Sequence, residues 1–404
     1  GIGKTVLIRA IDRHIVERSG RFISSKFDQY VRNVPYSAII GAFRDLVKQL
    51  LSEPDESLVQ WREKILEVLG SNCQVMVELI PELELIVGTR PPVPVLDPRA
   101  AQNRLHIVFY DFIALFCTPD HPLVIFLDDM QWADLPSLSL IETMMSVESG
   151  GLMLICAYRD NEVDGSHPFM LSVRQVPDQV ITRIHVEPLG TGFVTNFVSD
   201  VVWRKHEETG QLSDLVQKKT GGNPFFMGEF LKTLHAENLL GFDTRDHAWR
   251  WDLAGINAKG YTDNVVDFVI SNIGKLAPGP RSLLRYASML GNVFDVVRLL
   301  IVSERPGQEI VPDLEETVRE GFIIRLRDNT FSFSHDRIQQ GAYNSIPEGE
   351  REAEHLRAGR LLLAGIPGEE REDNLFAILD QYNKGRELIT SFEERQEIAE
   401  LNYR

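Results

Sequence analysis

His121-Pro122-Leu123-Val124-Ile125-Phe126-Leu127-Asp128-Asp129 is the stretch on which the reading of this chain turns. Five consecutive apolar residues, Leu123 to Leu127, are bounded by Pro122 on one side and two acids on the other. A run this short is far below the about 18 apolar residues of a membrane span, so it reads as a buried strand. The two carboxylates then stand at its carboxyl end, which is where open α/β sheets bind their ligands.

The chain opens on Gly1-Ile2-Gly3-Lys4-Thr5, followed by Val6-Leu7-Ile8. This matches the end of a G-x-x-x-x-G-K-T loop, in which backbone N–H groups cradle phosphates at a helix N-terminus. Gly1, Ile2, Gly3, Lys4, Thr5 and Val6 form the candidate binding segment. In it Lys4 neutralises the β/γ-phosphates and Thr5 ligates Mg²⁺. Alone, the shortened motif is equally a glycine-rich helix start that binds nothing. The strand ending in Asp128-Asp129 supplies the second half of a nucleotide site. Asp128 is expected to hold Mg²⁺ through its water, and Asp129 to polarise the attacking water. A buried strand capped by a helix-starting Asp is the bland alternative. The order of the two motifs, with room for one strand between them, favours ATP/ADP and Mg²⁺ as ligands.

Around these motifs the first part of the chain alternates strands and helices. Helices are expected over 3–18 (Ile8, Ile11 and Ile15 on one face), 35–51, 57–69 and 100–117. The rigid loop Pro91-Pro92-Val93-Pro94 separates the last two. Strands are expected over 21–27, 123–128, 152–158 and 180–186, giving a parallel sheet with helices on both faces. After Pro188-Leu189-Gly190 the pattern is helical to about Leu240. A polar segment with Trp249 and Trp251 follows, read as a hairpin or loop. From Asp263 to about Pro347 come three helices and a hairpin, Phe322–Leu326 and Thr330–Phe333, turning at Arg327-Asp328-Asn329. That is the winged-helix pattern. From Gly349 onward the pattern is amphipathic helix, the start of a helical, TPR-like region.

Composition bounds the function. The 404 residues carry 42 Lys and Arg against 59 Asp and Glu, a formal net charge of −17. Between Asp263 and Glu350 nine Lys and Arg face thirteen Asp and Glu, so a winged helix there would be acidic. Both balances count against nucleic acid as a partner. Cys73, Cys117 and Cys156 form no C-x-x-C pair and read as reduced thiols. With no signal peptide and no membrane span in the sequence, the expected location is cytoplasmic.

Asp128-Asp129-Met130-Gln131-Trp132-Ala133-Asp134 resembles the D-D-x-x-W-x-D signature of STAND-type signalling ATPases within the AAA-like group. Ala157-Tyr158-Arg159-Asp160-Asn161-Glu162-Val163 is similar to that group's sensor segment. Gly222-Asn223-Pro224-Phe225-Phe226 is similar to its G-x-P lid motif. Lys26-Phe27, Val34-Pro35-Tyr36, Pro81-Glu82-Leu83-Glu84-Leu85 and Phe333-Ser334-His335-Asp336 extend the likeness. That wider set resembles the ATPase module of large hybrid sensor kinases, which carry a protein-kinase-like domain before it and GAF and histidine-kinase domains after it.

The resemblance implies an α/β P-loop NTPase whose first strand is missing. An all-α lid, a winged-helix domain and the start of a helical repeat region follow. The corresponding boundaries are 1–190, 191–260, 261–348 and 349–404. It implies a slow ATP/ADP switch in signal transduction, with nucleotide and the attached kinase, GAF and histidine-kinase domains as partners. The C-terminal helical region would contact further proteins. It places Arg159 as reader of the γ-phosphate, where the alternative is an ion pair with Asp160 or Glu162. Pro224 would pack on the adenine, or simply start a helix. His335 would contact the ADP β-phosphate, or lie in the first turn of a helix capped by Ser334. Trp132 is read as packing and Arg104 as a surface residue. Both chain ends read as cuts within a longer protein, and the chain alone is expected to bind ATP poorly or fold badly. A non-hydrolysing scaffold and a winged-helix DNA-binding regulator or origin-recognition-like ATPase are the competing functions.

Overall fold

A computed structural model describes residues 3–29, 35–147, 150–259, 264–326, 329–371 and 374–403. Gly1, Ile2, Val34, Arg327 and Asp328, each named above, lie outside the described residues, as do the side chains of Thr5, Val6 and Asn161. The chain divides into two compact units, one spanning Lys4–Arg183 and the other built on Ile184–Arg404. Among the described residues no helix is long and apolar enough to cross a membrane.

The first unit runs α1 (Lys4–Glu17), β1 (Arg21–Lys26), α2 (Ser37–Leu51), α3 (Asp55–Leu69), α4 (Cys73–Leu79), α5 (Glu84–Val87) and α6 (Pro98–Ala114). It continues through β2 (Leu123–Asp128), α7 (Leu135–Met145), β3 (Leu152–Cys156) and α8 (Pro168–Val173). The three strands form one parallel sheet in the order β1-β2-β3. The register runs from Arg21 opposite Leu123 to Lys26 opposite Asp128, and from Leu123 opposite Leu152 to Leu127 opposite Cys156. β2 is therefore paired on both edges, and all six of its residues are buried. This is why it reads as an unbroken apolar run where a half-exposed strand would alternate. Its core partners include Ile39, Phe43, Leu46, Phe109 and Phe112, with the Phe43 and Phe109 rings meeting edge-on at 4.9 Å. The fold is that of a P-loop NTPase with a parallel sheet and a mostly helical remainder.

The strand expected over 180–186 does not form. A short 3₁₀ turn, Asp178–Val180, gives way to chain without regular structure up to Gly190. Val180 and Ile184 are exposed. A parallel strand is held by a neighbour's ladder, and its own composition does not supply one. Among the described residues nothing pairs with the far edge of β3, so this segment has no ladder to join.

The second unit runs α9 (Thr191–Val202), α10 (His206–Thr220), α11 (Pro224–Ala236), β4 (Leu240–Asp243), β5 (Ala248–Trp251), α12 (Leu253–Ala258) and α13 (Val265–Lys275). Next come α14 (Pro278–Leu290), β6 (Val293–Asp295), α15 (Val296–Ser303), α16 (Gly307–Arg319), β7 (Ile323–Arg325) and β8 (Thr330–Phe333). The unit closes with α17 (Asp336–Asn344), α18 (Glu348–Gly365), α19 (Leu375–Lys384) and α20 (Phe392–Tyr403). The segment with Trp249 and Trp251 is an antiparallel hairpin, β4–β5. The expected pair β7–β8 is joined by a third strand in the order β6-β8-β7. β6 escaped the sequence pattern because three residues after Gly291-Asn292 are too few to show a period of two.

Candidate nucleotide site

The site residues of the first unit gather at the carboxyl ends of its strands. Gly3, at a φ of 102° that favours glycine, precedes α1. Lys4, the first residue of that helix, sends its Nζ to the carbonyl of Tyr158 just beyond β3, at 2.7 Å. Asp128 is the last residue of β2 and Lys26 the last of β1, directly opposite in register. Asp129 follows in the left-handed region, φ 54° and ψ 45°, which Asp and Asn adopt more readily than other residues bearing a Cβ. Its backbone N–H donates to Asp128 Oδ1 at 2.9 Å. Both carboxylates are buried.

Asp129 is the hub. Its Oδ2 pairs with Lys26 Nζ at 2.9 Å. Its Oδ1 accepts from Gln131 Nε2 at 2.9 Å and lies 3.6 Å from Arg159 Nε. Gln131 turns its other end to the same residue, Oε1 accepting from the Arg159 backbone N–H at 3.2 Å. The guanidinium of Arg159 also pairs with Glu162 Oε1 at 2.9 Å and stands 4.8 Å from the centre of the Trp132 ring. A buried carboxylate carries this much partnership because an unpaired buried charge is costly. The last acid of the signature, Asp134, has a local structural task. It caps α7, accepting from the Ser137 backbone N–H at 2.8 Å and hydroxyl at 2.6 Å. The Ser137 hydroxyl in turn accepts from the Tyr36 N–H at 3.1 Å.

The geometry thus brings Lys4, Asp128, Asp129 and Arg159 to the carboxyl end of one sheet. The ion pair of Arg159 with Glu162, held open as an alternative, is formed, and the contact with Asp129 exists beside it. Arg104 donates to the Pro94 carbonyl at 2.8 Å, pinning the proline loop. The motifs give no role to Lys26 or Gln131. For Lys26 the signal is its place as the last residue of a strand. For Gln131 it is an amide two residues past the paired acids. Cys156 in β3 is partly buried, and the loss of solvation pushes its thiol up to about 12 and keeps it protonated. All three cysteines are free thiols.

Pro224 and His335 belong to the second unit. Pro224 opens α11, where the Asn223 side chain caps the helix by accepting from the Phe226 N–H at 3.1 Å. Before it, Gly222 has a φ of 74° and its carbonyl accepts from the Leu189 N–H at 2.9 Å. A Cβ there would lie 2.1 Å from the Leu189 oxygen. His335 corrects the expectation for Ser334. His335 is itself the cap residue of α17, while the Ser334 hydroxyl donates to the Gly321 carbonyl at 2.6 Å. His335 Nδ1 lies 3.1 Å from the Arg337 N–H and 2.5 Å from Asp336 Oδ1. One nitrogen cannot serve both: bare, it accepts from Arg337, and protonated, it pairs with Asp336. The imidazole stacks on Phe225, ring centres 3.9 Å apart.

Residues 1–155 match the AAA ATPase domain family. The whole chain is 29% identical, over 519 aligned positions, to hybrid signal transduction histidine kinase G of Dictyostelium discoideum, of which it covers 15%. It is 26% identical over 395 positions to the peroxide stress-activated histidine kinase mak2 of Schizosaccharomyces pombe, covering 91% of this chain and 17% of that protein. The chain therefore spans less than one-fifth of the length of either kinase. Among solved structures it is similar to a STAND protein with a tetratricopeptide repeat sensor from Pyrococcus horikoshii (TM-score 0.42, 12% identity, 96% of this chain and 49% of that one). It is also similar to Cdc6p from Pyrobaculum aerophilum (TM-score 0.33, 12% identity, 86% of each chain). The chain carries an AAA-type ATPase domain and resembles parts of signalling kinases.

Proposed function

We propose that this chain is a slowly hydrolysing ATP/ADP switch of a cytoplasmic signal-transduction protein. The observation that carries the reading is the meeting of Lys4, Asp128, Asp129 and Arg159 at the carboxyl ends of one parallel sheet. Lys4 neutralises the β/γ-phosphates, with the backbone N–H groups of Gly3 to Val6 around them. Asp129 orients and polarises the attacking water, and Arg159 reads the γ-phosphate that ATP has and ADP lacks. A switch needs such a difference, because a ligand shifts an equilibrium only through unequal affinity for its two states.

Mg²⁺ fits the donor set. Asp128 offers hard carboxylate oxygen at the strand end, and Thr5 follows Lys4. Among the described residues no three His, Cys, Asp or Glu side chains converge as a metal cage. Nucleotide-bound Mg²⁺ asks for only one or two carboxylates, completing its shell with phosphate and water. When bound, the metal supplies charge neutralisation between the phosphates.

The pairing of Asp129 with Lys26 and Arg159 supports slow turnover, since a carboxylate so engaged is a restrained base. The roles of Pro224 against adenine and of His335 toward the ADP β-phosphate rest on the resemblance. So do the division at 190, 260 and 348 and the kinase, GAF and histidine-kinase partners. Titration calorimetry with Mg·ATP and Mg·ADP, on the chain extended upstream through a whole G-x-x-x-x-G-K-T loop, tests the reading. Binding of both, abolished in Lys4→Ala, is expected. A chain that takes up neither nucleotide would leave only the scaffold reading.

A further inference from the structure

The turn after β2 presents three side chains to a single residue, Arg159, two to its guanidinium and one to its backbone. Asp129 starts a one-turn 3₁₀ helix, Met130–Trp132, closed by the Trp132 N–H donating to the Asp129 carbonyl at 3.0 Å. From that turn the Asp129 carboxylate reaches within 3.6 Å of Arg159 Nε. The Gln131 amide bridges Asp129 to the Arg159 backbone. The Trp132 ring lies 4.8 Å from Arg159 Cζ. The Arg159 side chain is only 11% exposed, so the cation meets the indole largely out of water, where cation–π attraction is strongest. Trp132 belongs to the hydrophobic core, but packing alone does not require a guanidinium at its ring.

We propose that Trp132 and Gln131 are positioning residues for Arg159. The indole holds the guanidinium and Gln131 fixes the backbone from which it extends, so together they set how strongly the site prefers ATP to ADP. An aromatic ring suits this task. It adds to the hold of Glu162 on the cation without placing a further carboxylate in competition with phosphate for the same N–H donors. Gln131 couples the two sides, because the amide that holds the Arg159 backbone also holds Asp129. A shift of Arg159 is thereby felt at the carboxylate assigned to the water. The inference rests on reading Arg159 as the γ-phosphate sensor.

The test measures Kd for Mg·ATP and for Mg·ADP, in the chain extended upstream through a whole G-x-x-x-x-G-K-T loop, for the wild type, Trp132→Leu, Trp132→Phe and Arg159→Ala. Trp132→Leu keeps an apolar side chain and loses the π face. It is expected to lower the preference for ATP over ADP by about 5- to 30-fold, with ADP affinity nearly unchanged. Trp132→Phe, which restores an aromatic face, is expected to recover most of that preference. If Trp132→Leu keeps the wild-type preference while Arg159→Ala loses it, the positioning role is overturned and the sensor stands. Equal loss of both nucleotides in Trp132→Leu, not rescued by Phe, also overturns it in favour of packing. A wild-type preference in Arg159→Ala removes the sensor and the positioning role with it. Should Trp132→Leu fail to fold, Gln131→Met leaves the indole in place and is held to the same criterion, a reduced ATP preference at constant ADP affinity.

Discussion

Replacing Lys26 by methionine should move stability and turnover in opposite directions. Methionine keeps the unbranched stem and removes the ammonium that pairs with Asp129 Oδ2 at 2.9 Å. A hydrogen bond to a charged group contributes about 1.5–3 kcal/mol. The Lys26 side chain is 32% exposed while that of Asp129 is 6% exposed, so solvent screening lowers the figure to about 1–2 kcal/mol. Asp129 keeps its contacts with Gln131 and Arg159, which prevents the larger penalty of an abandoned buried charge. The folded chain should therefore lose about 1–2 kcal/mol in urea unfolding. If Asp129 must leave Lys26 before it can orient water, the same energy is part of the activation barrier. Its removal then speeds steady-state ATP hydrolysis by about 5- to 30-fold. Lys26→Arg, which retains a cation, should behave like wild type in both assays. Turnover that falls together with stability in Lys26→Met would refute the idea that this pair restrains the base. It would make Lys26 a supporting part of the active arrangement.

Adjacent glycines should respond differently to alanine. Gly222→Ala combines a φ of 74° with a clash against the Leu189 oxygen and should cost about 2–4 kcal/mol in equilibrium unfolding. Gly221→Ala, at φ 58° with open space, should cost about 1 kcal/mol. His355 should make stability depend on pH. Burial, together with Lys384 and Arg351, lowers it from 6.5 to about 4, so its neutral form belongs to the folded state. Its contribution is complete above pH 6.5 and is lost as pH falls toward 4, about 3 kcal/mol in all. His355→Gln should flatten that part of the stability profile. Finally, the three thiols should resist a disulfide reagent at pH 8 in the folded chain and react once it is unfolded, because burial keeps Cys73 and Cys156 protonated. Fast reaction of any of them under native conditions would contradict their placement.

The parts of the fold legible in the sequence are those whose signal is local. β2 announces itself because both its edges and both its faces are covered, which leaves a continuous apolar run. α2 and α6 show helical periodicity long enough to read. The segment 180–186 has the composition of a strand and is not one here. Being a strand is a relation to a neighbour, and a single segment cannot display that relation. The site divides in the same way. Asp128 and Asp129 could be found from their place at the end of β2, and Lys4 from the loop motif. Lys26 acquires its role from standing opposite Asp128 across the sheet, about a hundred positions away in sequence. The roles proposed for Gln131 and Trp132 come from Arg159, which belongs to the loop after the next strand. His335 caps α17 where Ser334 was expected to, because Ser334 is drawn to the Gly321 carbonyl by a fold that brings the two together.

The left-handed backbone at Asp129 bears on how this site can evolve. Asparagine tolerates that conformation as well as aspartate does. A single substitution from Asp to Asn therefore removes the carboxylate charge while the chain path stays the same. A lengthening to glutamate meets strain of about 1–2 kcal/mol at the same φ. On the proposed function, descendants of such a module have an open route from a hydrolysing switch to a permanent nucleotide clamp, and a steeper one toward a longer-reaching acid. Across related chains, Asn at this position would identify the members that have stopped switching.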